Sequence, residues 1–142
     1  MTVPAIMLPV FIQVALTFAI LFLLGPRRGR ALKAGDVKGD PLLDDGAWPA
    51  SVRQASNSFR NQFEIPVLFY ALTAFAMIAH KADLIFVVLA WVFVLSRIGH
   101  AFVHLTSNDI RLRFPLFLVG VVVLLVMWVL FALSILFAPV LP

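Results

Sequence analysis

Four long apolar segments, separated by polar stretches, dominate the chain. The first covers residues 3–24 without a charged side chain. As a helix it would be roughly 33 Å long, enough for a hydrocarbon core of about 30 Å. The last apolar segment, which starts at residue 114, is also free of charge. We therefore predict four membrane-spanning helices, at about residues 3–24, 57–80, 84–105 and 114–138.

The second predicted helix carries a polar face at its N-terminal end. Its uncharged part, residues 65–79, is too short to cross a bilayer, so we predict that the helix begins further back. At 100° per residue, Asn57, Asn61 and Glu64 fall on one narrow face, and Arg53 lies near it. The polar side chains are therefore gathered on one side of this helix.

The third predicted helix ends with a second polar face. Arg97, His100 and His104 follow one another at i, i+3 and i+7, within an arc of about 60°. An ionisable residue at membrane depth costs on the order of 2.5–3.5 kcal/mol, so such residues usually face protein or a water-filled cavity. We predict that the two polar faces meet each other or a neighbouring subunit and form a pocket for a small anionic ligand. Four arginines are expected around the mouth of this pocket: Arg53, Arg60, Arg111 and Arg113.

Residues 26–56 form a long polar connection that holds many of the basic side chains. Gly25-Pro26 is expected to end the first helix. Connections rich in Lys and Arg stay on the cytoplasmic side of a membrane, so this connection is predicted to be cytoplasmic and both termini to lie outside. We expect a multi-pass membrane protein.

The composition supports an all-α membrane protein with a single domain, residues 1–142. Hydrophobic residues make up 63% of the chain and charged residues 13%, against about 45–50% and about 25% in soluble domains. A soluble fold of this length could not bury so much apolar surface, so lipid must cover much of it. The net charge of +4 does not indicate nucleic acid, because the basic residues lie at the ends of the apolar segments.

Several of the polar residues also have structural interpretations. Arg97 and Glu64 could form an ion pair that holds the second and third helices together. Arg60 could instead pair with Glu64 at i, i+4 on the helix surface. Gln13, the strongly polar residue of the first helix, could hydrogen-bond to another helix.

The remaining chemical candidates have alternatives of the same kind. His100 and His104 could bind a metal, but their helix has no carboxylate at metal-ligand spacing, so we predict no metal site. Arg111 and Arg113 could serve only as topology charges. Tyr70, the single tyrosine, lies deep in its helix and suits packing better than acid–base catalysis.

Three short patterns occur together in this chain. An Arg27-Arg28 pair follows the first apolar segment, and residues 61–66 read Asn-Gln-Phe-Glu-Ile-Pro at the start of the second. An Arg-led pattern closes the third helix and enters the fourth, through Arg97, His100, His104 and Arg111. With four short spans, these patterns resemble the MAPEG family, the membrane-associated proteins in eicosanoid and glutathione metabolism. The chain looks more like the bacterial branch of this family than the eicosanoid enzymes, and this likeness implies a location in a bacterial inner membrane.

This resemblance implies a homotrimer of four-helix subunits with glutathione bound in clefts between neighbouring subunits. Asn61 and Glu64 would hold the peptide part of glutathione, and His100 and His104 would stand where the eicosanoid enzymes have tyrosines. Arg111 would lie near the sulfur as the catalytic residue, because a guanidinium stabilises the attacking thiolate. Further binding candidates are Asn57, Arg60, Arg97, Arg53 and Arg28.

Two functions follow from these observations. The first is a membrane glutathione transferase or peroxidase that uses glutathione as co-substrate and acts on a lipophilic small molecule. The chain has no cysteine, so the reactive thiol would come from the substrate. The alternative is a non-enzymatic binding or scaffolding trimer whose polar cluster orders the helices and holds a lipid headgroup. Either way, the expected partners are other copies of the chain and membrane lipids, not nucleic acid.

Overall fold

The computed structural model of the protein describes residues 1–137, and this part of the chain contains helices and no strand. The five α-helices are α1 (Val3–Ala34), α2 (Ala50–Arg60), α3 (Ile65–Ile78), α4 (Leu84–Leu105) and α5 (Ile110–Leu136). Four units are long and apolar enough to cross a membrane: α1, α2 together with α3, α4, and α5. The prediction of an all-α bundle with four spans is therefore confirmed. The predicted end of the last helix, residue 138, lies outside the described residues.

The first helix is longer than predicted, because Gly25-Pro26 does not end it. Proline removes one intrahelical hydrogen bond and crowds the preceding turn, but packing can hold the next turns helical. Here Leu24 and Ala31 are buried against Val52 and Ala55 of α2. The helix ends instead at Gly35, whose φ of 72° is the left-handed conformation that favours glycine.

The predicted polar connection 26–56 is correspondingly not one loop. Its first part is the end of α1 and its last part is α2, which begins at Ala50 and not at residue 57. The two ends of the intervening loop, residues 35–49, are joined by a hydrogen bond in which the Lys38 N–H donates to Ala47 O over 2.9 Å. The Arg28 guanidinium stacks on the Trp48 ring, with 5.3 Å between its central carbon and the ring centroid.

The second span is broken near its polar end. A short 3-10 turn, Asn61–Phe63, follows α2, and Glu64 has non-helical angles before α3 starts. Pro66 explains the break, because it lacks an N–H and its ring crowds the carbonyl of Gln62. The predicted helix 57–80 is therefore two helices that meet at Glu64, and the second of them ends at Ile78.

Helix α4 lies in the middle of the bundle and packs most closely against α5. Phe69 of α3 stacks on Phe93 of α4, with 4.7 Å between the ring centroids. Gly120 of α5 allows the close approach, because a Cβ there would lie 2.9 Å from Ser96 Oγ. The outer faces of α1 and α5 are apolar and exposed, as expected for surfaces covered by lipid or by another subunit.

Candidate functional site

A groove at the basic end of the bundle brings together several of the polar residues predicted from the sequence. It lies between the end of α2, the end of α4 and the start of α5, and has a volume of about 350 Å³. We call it the polar groove. Its polar walls are formed by Asn57, Asn61, Glu64, His100, His104 and Arg113. Its apolar rim is formed by Ile110, Phe114 and Phe117.

The break between α2 and α3 presents Asn61 and Glu64 to the polar groove. The turn is fixed from behind by Gln62, which is fully buried and whose Oε1 accepts a hydrogen bond from Gln13 Nε2 over 3.0 Å. The Gln62 amide nitrogen donates in turn to Ser58 O over 3.1 Å. Gln13 thus joins α1 to this turn, the interhelical contact expected from its place in an apolar helix.

The two histidines of α4 are 4% exposed and are held in different ways. His100 Nδ1 lies 3.1 Å from Arg113 O, and a carbonyl only accepts, so this nitrogen carries the hydrogen. His104 Nδ1 lies 3.4 Å from the Asn61 amide nitrogen and accepts its hydrogen bond. The two rings therefore use Nδ1 in opposite ways, His100 as a donor and His104 as an acceptor. They pack edge to face, with 5.7 Å between their centroids.

Arg97 lies behind the polar groove and is 0% exposed. Its Nη2 donates to Asn61 O over 3.1 Å, so it connects α4 to the broken turn. Its guanidinium carbon also lies 5.9 Å from the centroid of the Phe117 ring. Within residues 1–137, its Nε and Nη1 have no hydrogen-bond partner, and no ion pair with Glu64 is formed. The alternative of an Arg97–Glu64 ion pair is therefore not formed within residues 1–137 of one subunit, where Arg97 donates to a backbone carbonyl instead.

The arginine that lines the polar groove is Arg113, two residues beyond the predicted catalytic Arg111. Asn108 holds the Arg113 guanidinium, since its Oδ1 accepts from Nη1 over 2.5 Å. Asn108 has a φ of 53°, in the left-handed region, and asparagine tolerates this region better than most residues do. Arg111 is exposed, and its side chain is not part of the groove wall.

The other predicted arginines lie away from the polar groove of their own subunit. Arg60 forms an ion pair with Asp45, not with Glu64. Arg28 donates to Ser56 Oγ over 3.4 Å. Arg53 is exposed on the outer side of α2 and does not line the groove.

Sequence reasoning missed the apolar side of the site. Phe114 and Phe117 of α5 complete the groove, and the Phe117 ring lies 5.7 Å from the His100 ring. The helical period contained the signal, because Ile110, Arg113 and Phe117 recur at i, i+3 and i+7. Among residues 1–137, no group of three His, Cys, Asp or Glu side chains is arranged to hold a metal ion.

Comparison with models of protein families shows what the chain is similar to. A model described as the MAPEG family matches residues 6–133, which is nearly the whole chain. The comparison with curated proteins gave no match, and neither did the comparison with solved structures.

Proposed function

The chain belongs to the MAPEG family, and from this premise we propose that it is a membrane-bound transferase or peroxidase that uses glutathione as co-substrate. The second substrate would be a lipophilic electrophile or hydroperoxide dissolved in the bilayer. The observation that carries the proposal is the polar groove, a space lined by Arg113, Glu64 and two asparagine amides that opens beside apolar side chains of α5. Its volume of about 350 Å³ is within the usual range for small-molecule sites.

The side chains of the polar groove suit a short anionic peptide. Arg113 offers a guanidinium to a carboxylate or a thiolate, and guanidinium groups form strong charge-assisted hydrogen bonds. Asn57 and Asn61 offer amides to a peptide backbone. The Glu64 carboxylate, which has no ion-pair partner within residues 1–137, offers an acceptor to a ligand ammonium group.

The reacting sulfur would belong to the ligand, because the chain has no cysteine. The family resemblance points to Arg111 as the group that stabilises the thiolate, whereas Arg113 is the arginine in the groove wall. We favour Arg113, since its guanidinium is already held at the site by Asn108. The thiolate would attack the electrophilic carbon, forming a carbon–sulfur bond while the leaving group departs with the bonding electrons.

With a lipid hydroperoxide, the same thiolate would attack the outer oxygen. Two glutathione molecules would then be oxidised to their disulfide while the hydroperoxide is reduced to an alcohol and water. Both reactions need the thiolate beside the bilayer, and the lipid would supply the second substrate by partition.

We further propose that the functional unit is a homotrimer in a bacterial inner membrane, with the polar groove on the cytoplasmic side. The positive-inside rule supports this orientation, since the arginines of α1, of α2 and of the first turn of α5 lie at the same end of the bundle as the groove. In such a trimer, Arg28, Arg53 and Arg60 would reach a ligand only across a subunit contact.

The proposal is tested by calorimetry of the detergent-purified protein with glutathione, together with the ultraviolet absorbance of the bound thiolate. Arg113→Ala should abolish the thiolate signal, and Glu64→Gln should weaken binding. Arg30→Ala is the matched control, because this exposed arginine makes its hydrogen bond only to Pro26 O of its own helix. Absence of binding heat and of thiolate in the unaltered protein would exclude the proposal.

A non-enzymatic trimer is the second candidate, and the buried polar contacts favour it. Arg97 and the Gln13–Gln62 pair connect helices without a ligand. In this case removal of the polar contacts would lower thermal stability, and no turnover would exist to be lost. Sustained conjugation of an electrophile, or reduction of a hydroperoxide by glutathione, would exclude this second function.

A further inference from the structure

The connection between α1 and α2 carries two leucines that nothing in their own subunit covers. Leu42 is 92% exposed and Leu43 is 88% exposed, the highest values among the exposed large hydrophobic side chains of residues 1–137. We call this pair the leucine tip. The tip is part of a closed turn, because Asp40 Oδ1 accepts from the Leu42 N–H over 2.9 Å and Asp40 O from the Asp44 N–H over 3.0 Å.

The position of this turn along the membrane normal follows from its contacts. Asp45, two residues after the tip, pairs with Arg60 at the end of α2. The neighbouring Phe59 lines a cavity together with Phe18 and Leu21, near Leu24, the last residue of the apolar run of α1. The turn therefore lies at the depth where α1 leaves the hydrocarbon region.

Helix α1 itself continues beyond this depth. From Leu24 to Ala34 it rises about 15 Å further, at 1.5 Å per residue. The chain must then return toward the membrane to bring Asp45 to Arg60, so the leucine tip lies on the returning part. Exposure to water at this point would leave two apolar side chains uncovered beside a lipid surface.

The acidic side chains around the tip are all engaged locally. Asp40 and Asp44 accept hydrogen bonds from backbone N–H groups of their own turn, at 2.9 and 2.7 Å, and Asp45 is paired with Arg60. Arg60 compensates the negative charge of Asp45, and the backbone N–H groups hold the Asp40 and Asp44 carboxylates against their own turn. The two leucines thus extend from the turn without a contact in the subunit, whereas each of these exposed carboxylates is held by a partner within it.

We propose that the leucine tip inserts into the boundary between headgroups and acyl chains on the basic side of the membrane. The partner is the lipid bilayer, and the contact anchors the connection next to α2. This interaction does not depend on the proposed enzymatic function, because it involves none of the residues of the polar groove. A short apolar insertion of this kind is typical of interfacial membrane contacts.

Site-specific fluorescence can test the proposal on the full chain in lipid nanodiscs. The chain has no cysteine, so Leu42→Cys and, separately, Leu43→Cys each take one environment-sensitive label. The matched control is Lys33→Cys in the last turn of α1, which is exposed and lies about 13 Å beyond Leu24 along the helix. We expect blue-shifted emission from both tip labels and a loss of intensity in lipids brominated near the carbonyl end of the acyl chains.

Two results would overturn the proposal. Tip labels with the same emission as the Lys33 label would place the leucines in water. Blue-shifted emission that brominated lipids do not quench would mean that protein, such as a second copy of the chain, covers the tip.

Discussion

At the scale of single residues, the polar groove depends on side chains that are each fixed by one or two contacts. His100 bonds to a carbonyl, His104 to an amide, and Arg113 to Asn108. Holding these groups before a ligand arrives lowers the entropy cost of binding, since fewer side chains must be ordered. Substitution of the residues that hold these side chains should therefore affect ligand binding, as substitution of the side chains themselves should.

Asn108→Gly tests the support of Arg113. Glycine accepts the left-handed backbone at this position but removes the oxygen that receives the Arg113 hydrogen bond. We expect glutathione affinity to fall about tenfold, because a hydrogen bond to a charged group contributes on the order of 1.5 kcal/mol. Calorimetry measures the affinity and a thermal melt checks that the fold is kept. Unchanged affinity would show that Asn108 does not position the guanidinium.

At the scale of elements, the broken span between α2 and α3 gives the site its shape. In a continuous helix through residues 57–78, the backbone carbonyl of Asn61 would accept an intrahelical hydrogen bond. The break at Glu64 instead leaves this carbonyl for Arg97 and turns Gln62 toward α1. Proline and a buried glutamine pair together hold the break.

Gln13→Leu should destabilise this break. The change leaves the Gln62 oxygen buried without a partner, which costs about 1–3 kcal/mol. The double variant Gln13→Leu with Gln62→Leu should recover part of this loss, since both polar groups are then absent. Thermal unfolding in detergent gives the three stabilities, and strictly additive effects would argue against a direct contact between the two glutamines.

The α4–α5 contact makes a second prediction at this scale. Gly120→Ala should lower stability by about 1–3 kcal/mol, because the new methyl group meets Ser96 Oγ at 2.9 Å and overpacks the contact. Gly25→Ala is the control, since a Cβ there meets nothing within 4 Å in the subunit and alanine favours a helix. Equal melting temperatures for the two variants would contradict the tight contact.

At the scale of the whole molecule, the single subunit leaves large apolar surfaces uncovered. Helix α5 is exposed along much of its length, at Leu118, Val122, Leu125 and Val129. Lipid can cover such a face, and so can another subunit. The arginines that lie off the polar groove have a binding role only if a neighbouring copy brings them to a ligand.

We therefore expect three copies of the chain in one particle. Native mass spectrometry in a mild detergent should find a mass of three subunits of 15.7 kDa each. Mixing subunits gives a further check, because a trimer of Arg28→Ala and Glu64→Gln chains should regain some binding if the two residues act across a subunit contact. A particle of one or two copies would contradict the trimer.

The amino-acid sequence by itself determined the four-span bundle and most of the polar residues of the groove. Lipid offers no hydrogen bonds, so a spanning segment must be long, apolar and helical, and each of these properties is visible in the order of residues. Helical periodicity then placed Asn57, Asn61 and Glu64 on one face and His100 and His104 on another. The match to the MAPEG family over residues 6–133 agrees with this architecture.

Only the tertiary structure decided which polar groups pair and where α1 ends. Arg60 could reach Glu64 along its own helix, but the fold brings Asp45 to it. Arg97 bonds to the Asn61 carbonyl, which a continuous helix would have kept for itself. Arg113 lines the groove in place of Arg111, and packing against α2 carries α1 past Gly25-Pro26. The physical reason is that a periodic pattern shows only which face of a helix a residue occupies. The partner of a long charged side chain depends on how the neighbouring helices are rotated and how closely they approach.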